Sequence, residues 1–174
     1  MTTLQLREAR PGDGAALGRI RISGWRSAYR GIVPDAFMDT MNPVVEAERA
    51  EAALTRPDSP FRTVVAVIDG LLVGYVVFTA PDRPDVEERA EIKALYVDGR
   101  QQRSGAGSAL FHHAVDALRP NFGELIVWCL EENPIGRAFY EKHGGRLHGP
   151  PQTFHLAEAE NIELSEVGYL WNLL

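Results

Sequence analysis

The sequence predicts an α/β protein in which helices flank a mixed β-sheet. Short runs of β-branched and aromatic residues alternate along the chain with apolar residues at helical spacing. Two strand runs, Phe61 to Ile68 and Leu71 to Thr79, enclose Asp69-Gly70, which is typical of a hairpin turn. Two others, Ile92 to Val97 and Leu125 to Leu130, each precede a helical pattern. Hairpin and crossover connections together favour a mixed sheet.

The first third of the chain predicts a strand and two helices. Leu4 to Ala9 alternates as a strand does, and Asp13 could cap a helix that runs to about Tyr29. One apolar stripe of this helix must face the sheet; the other either lines a pocket or packs against the next helix. After a break, a short turn leads to Met41. The two stripes are Ala16, Leu17, Ile20 and Gly24, and Ile22, Trp25 and Tyr29.

Pro43 to Thr55 predicts a second helix, which the prolines of residues 57–60 end. Gly74, inside the returning hairpin strand, indicates a bulge or a close approach of another backbone. A polar loop is expected from Pro81 to Glu88. The apolar face predicted for the helix from Pro43 to Thr55 comprises Val45, Ala50, Ala53 and Leu54.

The stretch from Ile92 to Leu118 predicts a phosphate-binding turn. A helical apolar pattern begins at Ser108, and Gly105 and Gly107 lie between it and the preceding strand. Glycines let the backbone turn sharply, and free amides at a helix start attract anions. A Walker loop needs Gly-Lys-Ser/Thr, which is absent, and a dinucleotide fingerprint needs a small residue where Leu110 stands. The turn is therefore expected to bind the phosphate of a ligand other than those that a Walker loop or a dinucleotide fingerprint binds.

The next crossover repeats this arrangement. Asn133 is a good helix cap, Pro134 suits the first helical position, and Gly144 can end the helix. With the turn Gln102-Arg103-Ser104-Gly105-Ala106-Gly107, this segment resembles the GNAT superfamily of acyl-CoA-dependent N-acetyltransferases. The second GNAT motif is Asn-x-x-Ala-x-x-Phe-Tyr-x-Lys-x-Gly-Phe. Asn133, Phe139, Tyr140, Lys142 and Gly144 match it, while Gly136 replaces its alanine, a small change, and Gly145 replaces its final phenylalanine.

The resemblance covers nearly the whole chain and implies a single domain over residues 1–174. It implies a mostly antiparallel sheet of about seven strands with helices on both faces. Gly145 to His148 is a candidate short strand, and residues 149–161 are expected to form a loop. The last strand is Ile162 to Leu173; by analogy with dimeric GNAT proteins, its part from Val167 to Leu173 could pair across a homodimer. Its predicted buried side comprises Val167, Tyr169, Trp171 and Leu173.

Composition limits the class of protein further. The 174 residues are 45% hydrophobic, and no apolar run reaches the roughly 20 residues of a membrane span. The net charge of −6 argues against general nucleic-acid binding. A single cysteine, Cys129, excludes an internal disulfide and a multi-cysteine zinc site, and we expect it in the core. No secretory signal is visible, so a cytoplasmic protein without a metal is expected; His143 is expected on the solvated surface.

The resemblance also assigns chemistry to individual residues. Tyr140 is the candidate acid for the thiolate of coenzyme A, or else a core tyrosine. Glu91 is the candidate base for the attacking amine, or else a rim carboxylate paired with Lys93. By strand alternation, Glu91 should share a face with Lys93, Leu95 and Val97. Candidate acceptor residues are Trp25, Tyr29, Phe37 and Glu91; candidate acetyl-CoA residues are Leu95, Tyr96, Val97, Gln102, Arg103, Ser104, Gly105, Ala106, Gly107, Ser108, Asn133, Gly136, Phe139, Tyr140 and Lys142.

The expected function is transfer of an acetyl group from acetyl-CoA to a primary amine in a ternary complex. The alternative is a non-catalytic acyl-CoA-binding sensor or scaffold, which binds the cofactor without turnover. The acceptor stays open between a small amine, an amino acid, an antibiotic amine, and a protein N-terminus or lysine.

Overall fold

The computed structural model describes residues 3–82, 89–156 and 159–174, so most of the predicted loop Pro81 to Glu88 lies outside it. Apart from the short helix Asp35–Asp39, where the sequence predicts a turn, the strands and helices follow one another in the predicted order. A short 3₁₀ turn, Gly99–Gln101, follows the fourth strand. The elements are β1 (Leu4–Glu8), α1 (Gly14–Ala28), α2 (Asp35–Asp39), α3 (Pro43–Thr55), β2 (Phe61–Ile68), β3 (Leu71–Thr79), β4 (Arg89–Val97), α4 (Ala106–Leu118), β5 (Glu124–Leu130), α5 (Pro134–Lys142), β6 (Arg146–Leu156) and β7 (Ala159–Asn172).

The described strands form one sheet of seven in the order β1-β2-β3-β4-β5-β7-β6. Neighbouring strands are antiparallel except β4 and β5, which are parallel. The predicted fold class is therefore confirmed. Because β7 lies between β5 and β6, both of its edges are already paired. The expectation that β7 pairs across a homodimer is therefore wrong.

Helices cover both faces of the sheet. On one face, Leu17 and Ile20 of α1 pack with Val65 and Tyr75 of the first hairpin. On the other face, the apolar stripe of α4 and Tyr140 of α5 join the largest buried cluster. That cluster also contains the predicted buried side of β7, namely Val167, Tyr169, Trp171 and Leu173. Burial of both faces explains why β3 and β5 are almost continuously apolar.

Helix α3 packs on α1 through backbone contact rather than through a wide apolar stripe. A Cβ atom on Gly14 or Gly18 would lie 2.7 Å from backbone atoms of Ala47. Glu46 is buried instead of the predicted Val45, because it forms an ion pair with Arg21 of α1. The apolar face predicted for α3 is therefore partly wrong: Val45 and Ala53 are exposed, whereas Ala50 and Leu54 pack as expected.

The start of α1 is capped by a distant residue. Asp13 occupies the cap position but makes no side-chain bond to the helix. Its carboxylate accepts from Arg7 at 2.7 and 3.0 Å, and these hydrogen bonds lower the pKa of Asp13. Glu51 of α3 instead accepts from the amides of Gly12 and Gly14. The expected Asp13 cap is therefore wrong.

The hairpin of β2 and β3 matches the expectation. Asp69 and Gly70 both have positive φ angles, 49° and 81°, as a tight turn between twisted strands requires. Gly74 lies at a bulge, and a Cβ atom there would come within 2.9 Å of the Tyr96 carbonyl oxygen. Both effects predicted for Gly74 are present, since the strands approach closely where the register shifts.

The expected loop at residues 149–161 is largely strand. β6 continues to Leu156 and β7 begins at Ala159, with a register shift between His148 and Gln152. The shift spans Pro150 and Pro151, which lack amide hydrogens. Among the described strands, β6 pairs only with β7, and prolines are tolerated at irregular points of such an edge strand. The loop prediction failed because it gave the prolines too much weight.

Candidate active site

The two parallel strands separate at their carboxyl ends. Pairing between β4 and β5 runs from Arg89 opposite Glu124 to Ile92 opposite Val127. β4 continues to Val97 and β5 to Leu130, and no pairing joins these last residues in the described chain. Helices α4 and α5 begin shortly after these two strand ends. In α/β sheets, ligands bind where the carboxyl ends of strands leave such a crevice.

The turn before α4 leaves several amides without an acceptor. Gln102 to Gly105 are exposed, Arg103 has a φ angle of 66°, and Gly105 has one of 86°. α4 begins at Ala106, two residues earlier than predicted, so Gly107 lies in its first turn. In the described chain, the amides of Gly105, Gly107 and Ser108 donate to no protein acceptor. Exposed amides at the positive end of a helix fit a diphosphate.

Asp98 anchors this turn, a role that the sequence reasoning missed. Its buried carboxylate accepts from Arg19 Nη1 at 2.5 Å, from Ser23 Oγ at 3.1 Å and from the Arg100 amide at 3.1 Å. Burial disfavours its charge, but the hydrogen bonds from Arg100, Ser23 and Arg19 prevail and lower its pKa to about 2. Ser27 accepts from Gln102 Nε2 at 2.6 Å.

A signal for this anchor was present in α1. Arg19, Ser23 and Ser27 recur every fourth residue and so form one polar stripe on the helix. Through this stripe, α1 holds the turn before α4 as well as the sheet.

Helix α5 places Asn133 and Tyr140 beside the crevice. Asn133 Oδ1 accepts from the Gly136 amide at 3.1 Å, which confirms the predicted cap. Tyr140 is buried, and burial raises its pKa above the ordinary value, with further contributions from Cys129 and Tyr96. Its hydroxyl has no hydrogen-bond partner in the described chain, yet it is not an enclosed polar atom. The oxygen must therefore reach accessible space, as a proton donor requires.

The two departures from the GNAT motif have structural explanations. A Cβ atom on Gly136 would lie 2.6 Å from Asn133 Nδ2 and 2.9 Å from Cys129 Sγ. An alanine here would require the ends of the Asn133 and Cys129 side chains to shift, so the change affects packing more than its size suggests. A Cβ atom on Gly145 would lie 2.6 Å from the indole of Trp171. Trp171 contacts Phe111 and Tyr140 and fills the place beside the missing phenylalanine.

Glu91 is half-buried and lies 2.7 Å from Lys93 Nζ. The ion pair of the alternative interpretation is therefore present, and the catalytic role stays a prediction. A register shift separates Ile92 from Ala94, so that Ile92 and Leu95 join the cluster under α4 while Ala94 faces α1. Glu91, adjacent to Ile92, points toward the α1 side. The expectation that it shares a face with Leu95 and Val97 is wrong, because a bulge interrupts strand alternation.

The predicted acceptor residues form an aromatic cluster on the α1 side. Trp25 is buried, and its Nε1 donates to the Tyr96 hydroxyl at 3.0 Å. The rings of Tyr29 and Phe37 lie 5.0 and 6.1 Å from that of Trp25. The cluster packs on Met38 of α2, a segment predicted as a turn, and not on the next predicted helix as the packing alternative proposed. Burial raises the pKa of Tyr29, with contributions from Tyr96, Tyr140 and Cys129, so these groups are neighbours.

The remaining candidate residues divide by exposure. Leu95 and Val97 pack under α4, and the ring of Phe139 contacts that of Phe111. Arg103 and Lys142 are exposed. Cys129 is buried, as expected, and burial raises its pKa to about 11, so its thiol stays protonated near neutrality.

Two residues on the α1 side of the sheet were not foreseen. A Cβ atom on Gly168 would meet the indole of Trp128 at 3.2 Å, so the half-buried ring lies directly over β7. Glu166 accepts from Gln152 at 2.7 Å. Burial raises the pKa of Glu166, and the nearby charge of Glu91 raises it further. The hydrogen bond from Gln152 and the charge of Lys93 lower the pKa but do not cancel the rise. Glu166 is one of three glutamates in β7, and the sequence pattern did not distinguish it from Glu160 and Glu163.

Comparisons with known proteins identify the class that this fold and site define. The model of the acetyltransferase (GNAT) family matches residues 23–145. The chain belongs to that family. It is 28% identical over 171 residues to a probable N-acetyltransferase of Mycobacterium tuberculosis, covering 97% of this chain and 93% of the relative. An uncharacterized N-acetyltransferase of Bacillus subtilis is 26% identical, with 95% and 91% coverage.

Solved structures show the same fold. The PaiA N-acetyltransferase of Thermoplasma acidophilum, solved in complex with coenzyme A, superposes with a TM-score of 0.76 at 16% identity, covering 97% of this chain and 99% of that one. A GCN5-related N-acetyltransferase of Rhodopseudomonas palustris gives a TM-score of 0.76 at 18% identity, with 99% and 97% coverage.

Family membership confirms the predicted enzyme class. The protein is an acetyltransferase, and acetyl-CoA is its acetyl donor, as the sequence predicted. In the described parts of the chain, no three side chains of metal-binding type come together. No described helix has both the length and the apolar character needed to cross a membrane.

Proposed function

We propose that the protein transfers the acetyl group of acetyl-CoA directly to a primary amine while both substrates are bound. The observation that carries the proposal is the set of amides of Gly105, Gly107 and Ser108, which have no acceptor in the described chain. They stand at the mouth of the crevice between β4 and β5. A diphosphate held there points the rest of the cofactor into the crevice, toward Tyr140.

The cofactor-binding residues follow from this placement. The turn from Gln102 to Ser108 holds the diphosphate, with Arg103 available to offset its charge. The Asn133 amide, whose oxygen already accepts from Gly136, keeps its Nδ2 group for a carbonyl of the cofactor. Other residues near the crevice complete the cofactor site: Leu95, Tyr96, Val97, Gly136, Phe139 and Lys142.

Acetyl-CoA, when bound, supplies the thioester carbonyl that an amine can attack. Tyr140 holds a proton at its hydroxyl and donates it to the departing thiolate; the raised pKa keeps this proton in place until then. Glu91 accepts a proton from the acceptor, because a lysine-type amine with a pKa of about 10.4 is mostly charged at neutral pH. The salt bridge to Lys93 Nζ fixes the position of the Glu91 carboxylate.

The acceptor is a primary amine bound on the α1 side. Glu91, Trp25, Tyr29 and Phe37 all belong to this side of the sheet. A small amine and a protein N-terminus or lysine both fit this description. The single cysteine, which cannot form an internal disulfide, supports the cytoplasm as the site of action. A homodimer would use a surface other than the edges of β7. Light scattering, which measures the mass of the particle in solution, shows whether a dimer forms.

The test is release of free thiol from acetyl-CoA in the presence of a panel of amines, together with calorimetric binding of coenzyme A. Tyr140→Phe should lower kcat by about 10²–10⁴-fold and change the Kd of coenzyme A little, since only the donated proton is lost. Tyr75→Phe, another buried tyrosine, is the matched control and should keep wild-type turnover. Binding without thiol release for any amine would favour the sensor alternative, and no binding at all would end the proposal.

A further inference from the structure

His143 joins the helix of Tyr140 to the helix that starts at the phosphate-binding turn. It caps the carboxyl end of α5 and is half-buried. Its Nδ1 lies 2.7 Å from the Phe139 carbonyl oxygen, and its Nε2 lies 3.1 Å from Ser108 Oγ. The expectation that His143 lies on the solvated surface is therefore wrong. Both ring nitrogens are occupied within the described chain.

The partners determine which nitrogen carries the hydrogen. A carbonyl oxygen can only accept, so Nδ1 must donate to Phe139. In the neutral ring, Nε2 is then an acceptor, and the Ser108 hydroxyl donates to it. The hydroxyl hydrogen of Ser108 is thus directed at His143 rather than at a ligand. The Ser108 amide, which has no acceptor in the described chain, is left for the diphosphate.

Packing holds the imidazole in this place from several sides. The ring of Phe139 lies 4.3 Å away, and the rings of Phe111 and His112 each lie 5.2 Å away. Trp171 Nε1 donates to the backbone carbonyl of His143 at 2.8 Å. The imidazole is therefore fixed between α4 and α5, with β7 holding its backbone. A side chain so constrained transmits a displacement of one helix to the other.

We propose that His143 is a positioning residue that sets the Tyr140 hydroxyl relative to the diphosphate site through its hydrogen bond to Ser108. The inference rests on the proposed function. Ser108 belongs to the first turn of α4, and Tyr140 precedes His143 by less than one turn of α5. The diphosphate and the thiol of the cofactor are thus held by two different helices. The hydrogen bond between His143 and Ser108 fixes the position of one helix relative to the other. Removing it leaves the amides in place but lets the proton donor shift.

Two variants delete the bond from opposite sides. His143→Phe keeps an aromatic ring of similar size and loses both hydrogen bonds; Ser108→Ala keeps the amide and loses only the hydroxyl. Each should lower kcat about 3- to 10-fold, the effect of one neutral hydrogen bond on a barrier, and leave the Kd of coenzyme A within about twofold. His113→Phe, on the exposed side of α4, is the matched control and should behave as wild type.

The double variant separates positioning from mere stability. His143→Phe combined with Ser108→Ala should lower kcat no further than His143→Phe alone, because Ser108→Ala removes a bond that His143→Phe has already lost. Additive losses, or wild-type kcat in Ser108→Ala, would overturn the inference even if His143→Phe folds poorly. If the wild-type protein binds no coenzyme A, both the proposed function and the role of His143 fail. If the wild-type protein turns over and both variants have the same kcat as the wild type, only the role of His143 fails.

Discussion

Replacement of Asp98 by asparagine tests how the phosphate-binding turn is held. At neutral pH the carboxylate is charged, buried and bound by Arg19, Ser23 and the Arg100 amide. Its pKa of about 2 lies below the ordinary aspartate value of about 3.9, and this difference corresponds to on the order of 2 kcal/mol of unfolding free energy. Asp98→Asn should lose about that amount at pH 7, measured by urea unfolding.

The pH dependence follows from the direction of this pKa change. Because the folded-state pKa is lowered, the stabilisation is complete above the unfolded value near pH 4 and is lost as the pH falls toward 2. The gap between wild type and Asp98→Asn should therefore close over this range. Asp116→Asn, an exposed change on α4, is the control and should alter stability by less than about 0.5 kcal/mol.

The same variant also tests the link between the turn and the cofactor. If binding must reorder the turn, up to about 2 kcal/mol is lost and the Kd of coenzyme A rises by up to about 30-fold. A stability gap that stays constant from pH 7 to pH 2.5, or none at pH 7, would refute the role given to Asp98.

Three further results are expected. Gly136→Ala should lower the unfolding free energy by about 1–3 kcal/mol in thermal melts, because its Cβ atom would collide with Asn133 and Cys129; an unchanged or higher melting temperature would contradict this. Trp171→Ala should cost about 3–5 kcal/mol, and adding Gly145→Phe should restore part of it, since the phenylalanine then occupies the vacated space; no recovery would argue against the exchange of one ring for the other. Cys129, with a pKa of about 11, should resist iodoacetamide at pH 8 in the folded protein and react after denaturation, as mass spectrometry can show; rapid native labelling would mean that the thiol is accessible.

Local patterns predicted the parts of the fold that depend on neighbours in sequence. The Asn133 cap, the Asp69-Gly70 turn and the bounds of α3 rest on residues within a few positions of each other. The cap of α1 could not be read in this way, because Glu51 comes from another helix. The face of Glu91 was misjudged for a related reason: a bulge breaks the two-residue period on which the prediction relied.

The candidate site shows the same division. The two cofactor motifs located the amides of the turn and the position of Tyr140. The groups that hold them are distant in sequence: Asp98 is bound by α1, and Trp171 of β7 fills the space beside Gly145. The stripe of Arg19, Ser23 and Ser27 indicates a polar face of α1, but only the fold identifies Asp98 as its partner, since the two are related by packing and not by spacing.

The separation of β4 and β5 has a consequence for the protein without its substrate. Where two strands separate inside a sheet, their backbone N–H and C=O groups are unpaired, as they are on an edge strand. Such unpaired groups can form hydrogen bonds with a strand of another chain. We expect the amides of residues 93–97 that point toward β5 to exchange rapidly with heavy water in the empty enzyme and slowly once coenzyme A fills the gap. The same ligand should reduce aggregation on storage, because it covers an edge that the fold leaves open for catalysis.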